Sequence, residues 1–344
     1  MPTLGHDELL AFARRASRAM GLPPDHADVT ARCLVAANLR GLDSHGVLRL
    51  LQYADSIAAG DVRADARVRV VEQAGCRALV DAGGGYGYAP TTLACELART
   101  LAAVHGAAVV GVRDSHHFGV AGIYAESLAE AGLVGIVLTN AQPVMAPPGV
   151  ATAIVGNNPL AIAVPRRPPG PPIVLDMALS QTALGRIRLA AAEGRPIPEG
   201  WALDEEGRPT TDAARALAAN LLAPAGGHKG LGLALMIDVL AGILTGSPFG
   251  ARADAHRRID GGVGHLVVAL APDLFVARER FLANVEELAM SVKAHDTPGA
   301  PVLLPGEPEL AAEARRRRDG IVLSDQLTGR LDRLAERLGV EPLG

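Results

Sequence analysis

His45 and Arg49 stand four residues apart in the run Arg40-Gly41-Leu42-Asp43-Ser44-His45-Gly46-Val47-Leu48-Arg49. A helix entered at Ser44, whose hydroxyl suits an N-cap, would stack positions 45 and 49 on one face. The guanidinium keeps its charge and can fork onto a carboxylate. The imidazole titrates near neutrality and can move a proton on the adjoining carbon. Together they suit a small carboxylate substrate; the plainer alternative is an ordinary surface helix start.

Four other segments carry reactive groups. Arg113-Asp114-Ser115-His116-His117-Phe118-Gly119 leaves an apolar strand and precedes a helix, and adjacent residues leaving a strand face opposite ways, so one of His116 and His117 would enter a site. Gly156-Asn157-Asn158-Pro159 reads as a fixed turn with exposed amides. Asp176, in Val174-Leu175-Asp176-Met177-Ala178, ends an apolar strand, where a carboxylate either caps the following helix or binds a ligand hydroxyl such as a ribose. Gly226-Gly227-His228-Lys229-Gly230 opens an apolar helix at about 231–246 and offers either an anion site at Lys229 or a flexible entry loop.

The elements that must position these groups fall into three zones. Helical patterns run from Asp7 to Met20, Asp25 to Arg40 and His45 to Ala59. The period then changes: Val68–Val71, Ala78–Asp81, Ala107–Val112, Leu133–Thr139, Leu160–Val164 and Ile173–Leu175 read as strands. A helix from Pro90 to Val104 interrupts them behind a flexible loop at Gly83–Tyr88, and Arg166-Arg167-Pro168-Pro169-Gly170-Pro171-Pro172 is a turn whose arginines read as solvent-exposed. After about residue 277 the pattern is helical again, which predicts a discontinuous helical domain (1–65 with 277–344) around a mixed region (66–276). The fold class is α+β. No G-x-G-x-x-G fingerprint is present, because Tyr88 stands where its third glycine would be, and strands and helices do not alternate as a doubly wound sheet requires.

Composition limits the partners. The chain has 344 residues, a formal net charge of -4 and only 3% aromatics, with no basic stripe beyond Arg315–Arg318, which reads as a solvated helix face; nucleic acid is not expected. Cys33, Cys76 and Cys95 lack metal spacing and suit a reducing compartment. The start, Met1-Pro2-Thr3-Leu4, shows no leader pattern. The apolar run 231–244 is too short to span a bilayer and carries Asp238. The expectation is a soluble cytoplasmic protein.

Seven motifs in register over nearly the whole chain resemble the malate/L-lactate dehydrogenase family, the group that includes ureidoglycolate dehydrogenase, sulfolactate dehydrogenase, diketogulonate reductase and piperideine-2-carboxylate reductase. They are Arg40-Gly41 with Ser44-His45-Gly46 and Arg49; Ser115-His116-His117-Phe118-Gly119; Asn158-Pro159; Leu175-Asp176-Met177-Ala178; Pro198 and Trp201-Ala202-Leu203-Asp204 with Gly207 and Thr210-Thr211-Asp212; Lys229-Gly230-Leu231-Gly232; and Leu304-Pro305-Gly306-Glu307. Asn157 departs from the Gly-Thr-Asn-Pro of that family, although an amide can still donate and accept. The resemblance implies a non-Rossmann domain with a mostly antiparallel sheet that binds NAD or NADP, flanked by helical domains, in a homodimer whose active site lies near the interface. It implies that His45 or His117 is the acid/base, depending on the branch of the family. Asn140, Ala141, Asn158, Asp176, Met177, Ala178, Lys229, Gly306 and Glu307 would line the cofactor.

The expected chemistry is reversible hydride transfer between nicotinamide and C2 of a small 2-hydroxy or 2-oxo acid. Arg49 would anchor the carboxylate, His117 or His45 would move the proton, Ser44 would fix the imidazole, and Lys229 would meet a cofactor phosphate or the developing oxyanion. Three rivals stand beside it: reduction of a cyclic imine carboxylate, a zinc hydrolase built from His45, His117 and Asp176, and a non-catalytic ligand-binding homologue.

Overall fold

The computed structural model describes residues 2–256, 262–297 and 299–343. Strand β1 (Thr3–Leu4) leads into helices α1 (His6–Ala19), α2 (Pro24–Leu39) and α3 (Arg49–Ala58). Next come β2 (Arg69–Ala74), β3 (Arg77–Gly85), α4 (Tyr88–His105), β4 (Ala107–Ser115), α5 (Ala121–Glu130), β5 (Val134–Thr139), β6 (Leu160–Val164) and β7 (Ile173–Met177). A smaller unit holds α6 (Leu184–Ala192), β8 (Ala202–Leu203), β9 (Pro209–Thr210), α7 (Ala213–Ala219) and β10 (Leu221–Leu222). Helix α8 (His228–Ile237) runs into a π-helical turn, Asp238–Ile243; β11 (Val263–Leu270), α9 (Arg278–Lys293), α10 (Glu307–Asp319), β12 (Ile321–Val322) and α11 (Asp325–Leu338) complete the chain.

Seven strands form one sheet in the order β2-β3-β4-β11-β5-β6-β7. Only β3 and β4 run parallel, and α4 is the crossover that such a pair needs; every other pairing is antiparallel. Alternate residues therefore serve two cores. Val137, Val267 and Ala161 face α4 and α5 and the terminal helices, whereas Leu138, Leu266 and Leu160 face α6, α7 and α8. The two ends of the chain meet: Thr3 pairs with Val322 and Leu4 with Ile321, and α11 packs on α1 and α3.

The structure corrects several sequence expectations. β11 had no forecast, yet it is the central strand; the glycines at 261, 262 and 264 dilute its apolar pattern. Gly83 to Gly85 are no flexible loop: they finish β3, with Gly85 opposite Ser115, and Tyr88 already opens α4. Arg166 is not solvent-exposed, because it forks onto Glu286 at 2.9 and 2.8 Å and ties α9 to the β6–β7 turn. Arg316 likewise leaves the solvated face and forks onto Asp43 at 2.6 and 2.9 Å. The three thiols are unpaired. Among the described residues no helix is long and apolar enough to cross a membrane.

Gly264 shows how tightly β11 meets the layer below. A Cβ there would collide with the Ala241 carbonyl of the π-helical turn and with the hydroxyls of Thr245 and Ser247. Gly264→Ala should therefore lower unfolding stability by about 2–3 kcal/mol, the usual cost of overpacking, read as a fall in the urea midpoint at unchanged m-value.

Candidate functional site

One end of the sheet gathers the reactive segments. The register places Gly85 beside Ser115, Ser115 beside Val263, His265 beside Thr139, Leu138 beside Leu160 and Leu160 beside Met177. The loops leaving these positions, 86–87, 116–120, 140–158 and 178–183, thus open on one rim.

His45 and Arg49 do not share a helical face, and Ser44 is not an N-cap. Asp43–His45 forms a single 3-10 turn, Gly46 is extended, and α3 starts only at Arg49 with Leu48 at its cap. The cause is Asn38, whose side chain lies where a Cβ on residue 46 would be and accepts from the Val47 amide at 2.9 Å. The two groups still meet, because Arg49 folds back and donates through Nε to the Ser44 carbonyl at 2.8 Å, with Nη1 on Gln52 Oε1 at 2.8 Å. Ser44 Oγ lies 2.9 Å from His45 Nδ1. Burial and then the Arg49 charge push the half-buried His45 imidazole down to about 3.

His117 faces this turn across 5.6 Å between ring centroids. Its Nδ1 meets the Tyr53 hydroxyl at 2.6 Å, and Tyr53 in turn meets the Tyr88 hydroxyl at 2.7 Å. Burial holds its pKa well below the usual histidine range, with Arg49, His256 and His45 adding to the effect. His116 turns the other way and is fully buried. Sequence reasoning missed Tyr53, Tyr88, His256 and His265. Tyr53 follows Arg49 by one helical turn of α3, and that spacing was its only signal. The His256 ring lies tilted beside that of His117, 5.1 Å between centroids. His265 bridges Ser115 (2.8 Å) and Thr139 (2.7 Å) beneath the rim, stacks on Phe118 at 4.5 Å, and is pushed down to about 3, chiefly by burial.

The remaining candidates lie along the same rim. Asn140 gives both amide hydrogens away, to Asp238 Oδ1 and the Pro248 carbonyl at 2.8 Å each, and accepts from Gly264 N. Asn158, at φ +27°, donates to the Ala234 carbonyl and accepts from Ala141 N. These two side chains rivet the rim, leaving Ala141, Met177 and Ala178 as its accessible lining. Asp176 caps no following helix: it accepts from the Gly122 amide at 2.8 Å, capping the start of α5 from across the sheet. It is exposed at the rim, yet surrounding protein strips water from the carboxyl and, with Glu309, pushes it up to about 6 against the pull of Gly122 and Arg40.

Lys229 is exposed in the first turn of α8, behind Gly226 and Gly227 at φ +62° and +66°. Ala225 N bonds the Leu179 carbonyl at 2.9 Å, which sets this helix start beside the Asp176 strand. A Cβ on either glycine would meet nothing within 4 Å, so the backbone there is open to approach. That donor set, an open helix start carrying a lysine, fits the phosphates of a dinucleotide. Gly306, at φ +93°, packs on Val174, whose amide donates to the Pro305 carbonyl at 3.0 Å, and Glu307 is paired with Lys293 at 2.5 Å. Among the described residues no group of three or more His, Cys, Asp or Glu side chains is placed to hold a metal ion.

Comparison with known proteins points one way. The family model described as malate/L-lactate dehydrogenase matches residues 4–332. A malate dehydrogenase of Pyrococcus abyssi is 34% identical over 346 residues, covering 98% of this chain and 95% of its own length. A (2R)-3-sulfolactate dehydrogenase (NADP(+)) of Chromohalobacter salexigens is 44% identical over 291 residues, covering 84% and 85%. The solved sulfolactate dehydrogenase of Methanocaldococcus jannaschii superposes with a TM-score of 0.91 at 33% identity, covering 99% and 98%.

The lowered imidazoles of His45 and His265 should make the fold acid-sensitive. His45 and His265 titrate at about 3 in the fold against an ordinary 6.5. Between those values the unfolded chain binds more protons, so their contribution is complete above pH 6.5 and is lost as pH falls toward 3. The urea midpoint should fall steadily through that window, and His265→Gln should remove about one proton from the slope.

Proposed function

The chain belongs to the malate/L-lactate dehydrogenase family, and from that premise we propose that it transfers a hydride between a nicotinamide dinucleotide and C2 of a small 2-hydroxy or 2-oxo carboxylic acid. The carrying observation is Arg49: its guanidinium is held by neutral acceptors, the Ser44 carbonyl and the Gln52 amide oxygen, within a pocket of imidazoles. A half-buried cation with no carboxylate partner among the described residues is matched by an anionic substrate.

The substrate carboxylate forks onto Arg49. The hydroxyl on C2 lies between His45 and His117, and with Nδ1 of each ring engaged by a hydroxyl, Nε2 is left for the substrate. His117 takes the hydroxyl proton during oxidation and returns it during reduction, and His45 orients the oxygen. Tyr53 can donate to or accept from Nδ1, and its Tyr88 partner lets it follow the change of tautomer. The bound nicotinamide supplies or accepts the hydride. Lys229 and the first turn of α8 hold its phosphates, Asp176 takes a ribose hydroxyl, and Ala141, Met177, Ala178 and Gly306 line its path. Glu307 supports that path through its bond with the Leu304 amide.

A second copy completes the assembly in this reading. Leu233, Met236, Leu240, Ile243 and Leu244 are 42%, 54%, 38%, 48% and 64% exposed and recur at helical spacing along α8 and the π-helical turn. Lys229 heads the same stripe, so the partner would cover a surface continuous with the cofactor rim. Light scattering should give a dimer or higher even oligomer, and Leu240→Glu should dissociate it.

The functional test is oxidation of NADH and NADPH against pyruvate, oxaloacetate, sulfopyruvate, oxalurate and piperideine-2-carboxylate. Turnover of a 2-oxo acid is expected; activity with the cyclic imine alone would reassign the substrate class. On the acid turned over, Tyr53→Phe should lower kcat about tenfold, the worth of one orienting hydrogen bond, with cofactor affinity unchanged.

A further inference from the structure

Helix α10 touches both halves of the site. Its N-terminal end follows Gly306, packed on Val174 of β7. Along its inner face Ala312 covers Gly41, Glu313 accepts from Arg40 Nε at 3.2 Å, and Arg316 reaches the 3-10 turn that carries His45. That turn cannot hold itself. It is three residues long, none of them buried, and so short a helix has no cooperative stability. Side chains fix it instead. Asn38 Nδ2 donates to Asp43 Oδ1 at 2.7 Å from one side; from the other, Arg316 donates through Nη1 and Nη2 to the two oxygens of Asp43 at 2.6 and 2.9 Å. Arg316 Nη1 also bonds the Asn38 carbonyl, so a single guanidinium grips the turn and the end of α2 together. Only 20% of its side-chain surface is exposed.

We propose that Arg316 is a positioning residue for the reaction: its fork on Asp43 locks the 3-10 turn and holds the His45 imidazole at its place opposite His117. The proposal rests on the reading of His45 as a group that contacts substrate. It gives a defined task to one arginine of a four-arginine run, and it makes α10 a strut between the cofactor rim and the substrate-orienting imidazole. A planar two-point grip sets direction as well as distance, which a point charge cannot do.

The test compares Arg316→Gln, Arg316→Lys, Asp43→Asn and the Asp43→Asn/Arg316→Gln double variant with the wild type. For the acid that the wild type turns over, Arg316→Gln should lower kcat/KM on the order of 10- to 100-fold, the scale of a small misplacement of a reacting group. Cofactor affinity and melting temperature should stay near wild type. Arg316→Lys should recover part of the loss. Asp43→Asn should reproduce it, and the double variant should be no worse than either single, because all act through one contact. A second readout needs no turnover: diethyl pyrocarbonate should modify His45, located by peptide mass, faster in Arg316→Gln than in the wild type. Should Arg316→Gln fail to fold, Arg316→Lys and Asp43→Asn carry the same comparison. Wild-type kcat/KM with unchanged His45 modification would overturn the proposal, as would losses that add in the double variant. If no acid is turned over, the functional reading fails, and the modification rates still decide the clamp.

Discussion

The positive charge of Arg49, half-buried and met among the described residues by the neutral oxygens of Ser44 and Gln52, sets the terms for the groups around it. Two imidazoles packed beside a fixed cation cannot easily take protons, and burial works in the same direction. They therefore stand neutral, each with one nitrogen engaged by a hydroxyl. A neutral imidazole next to a guanidinium can receive a proton only when a negative charge arrives with it. In the proposed reaction the substrate carboxylate would bring that charge, tying binding electrostatically to proton acceptance. Tyr53 and Tyr88 fit the same logic, since burial raises both phenols and keeps them as neutral hydrogen-bonding groups.

The sheet supplies the geometry by an unusual route for a dinucleotide protein. In a doubly wound parallel sheet, loops converge because every strand ends at the same edge. Here the directions are mixed, and the rim is assembled from the carboxyl ends of β3, β4, β5 and β7 with the amino ends of β6 and β11. Small polar rivets replace the missing regularity. Asn140 and Asn158 bind backbone groups of distant segments, and His265 joins β4 to β5 through β11. The Asp176 carboxylate plays a comparable part by capping α5 across two neighbouring strands.

Much of this could be read from the residues. Helical and strand periods located α1, α2, α4, β4, β5 and β6, whose apolar residues recur at the period of the element, and the C-terminal helices were also legible. The missing fingerprint correctly pointed away from a Rossmann sheet. His45, His117 and Arg49 were recognisable as a group, yet the reason offered for their meeting was wrong. A helical face was assumed where Asn38 and Gly46 force a turn, an interaction between positions eight apart that spacing rules do not describe. Arg316 was read as solvated because its partner Asp43 is 273 positions away. β11 escaped because Gly264, which lets it approach the π-helical turn, also interrupts its apolar pattern. Pairings over such separations are decided by the fold, and local propensity carries no trace of them.

The place of β11 also bears on how the chain is made. β4 and β5 lie only eighteen residues apart, yet their shared neighbour spans 263–270. During synthesis both strands would emerge with an apolar edge that has no mate until three quarters of the polypeptide is out. Thr3 waits longer still, for Val322. Such long-range closure makes folding slow and leaves open strand edges prone to pairing with the wrong partner. The middle of the sheet can therefore close only late in synthesis, after β11 has emerged.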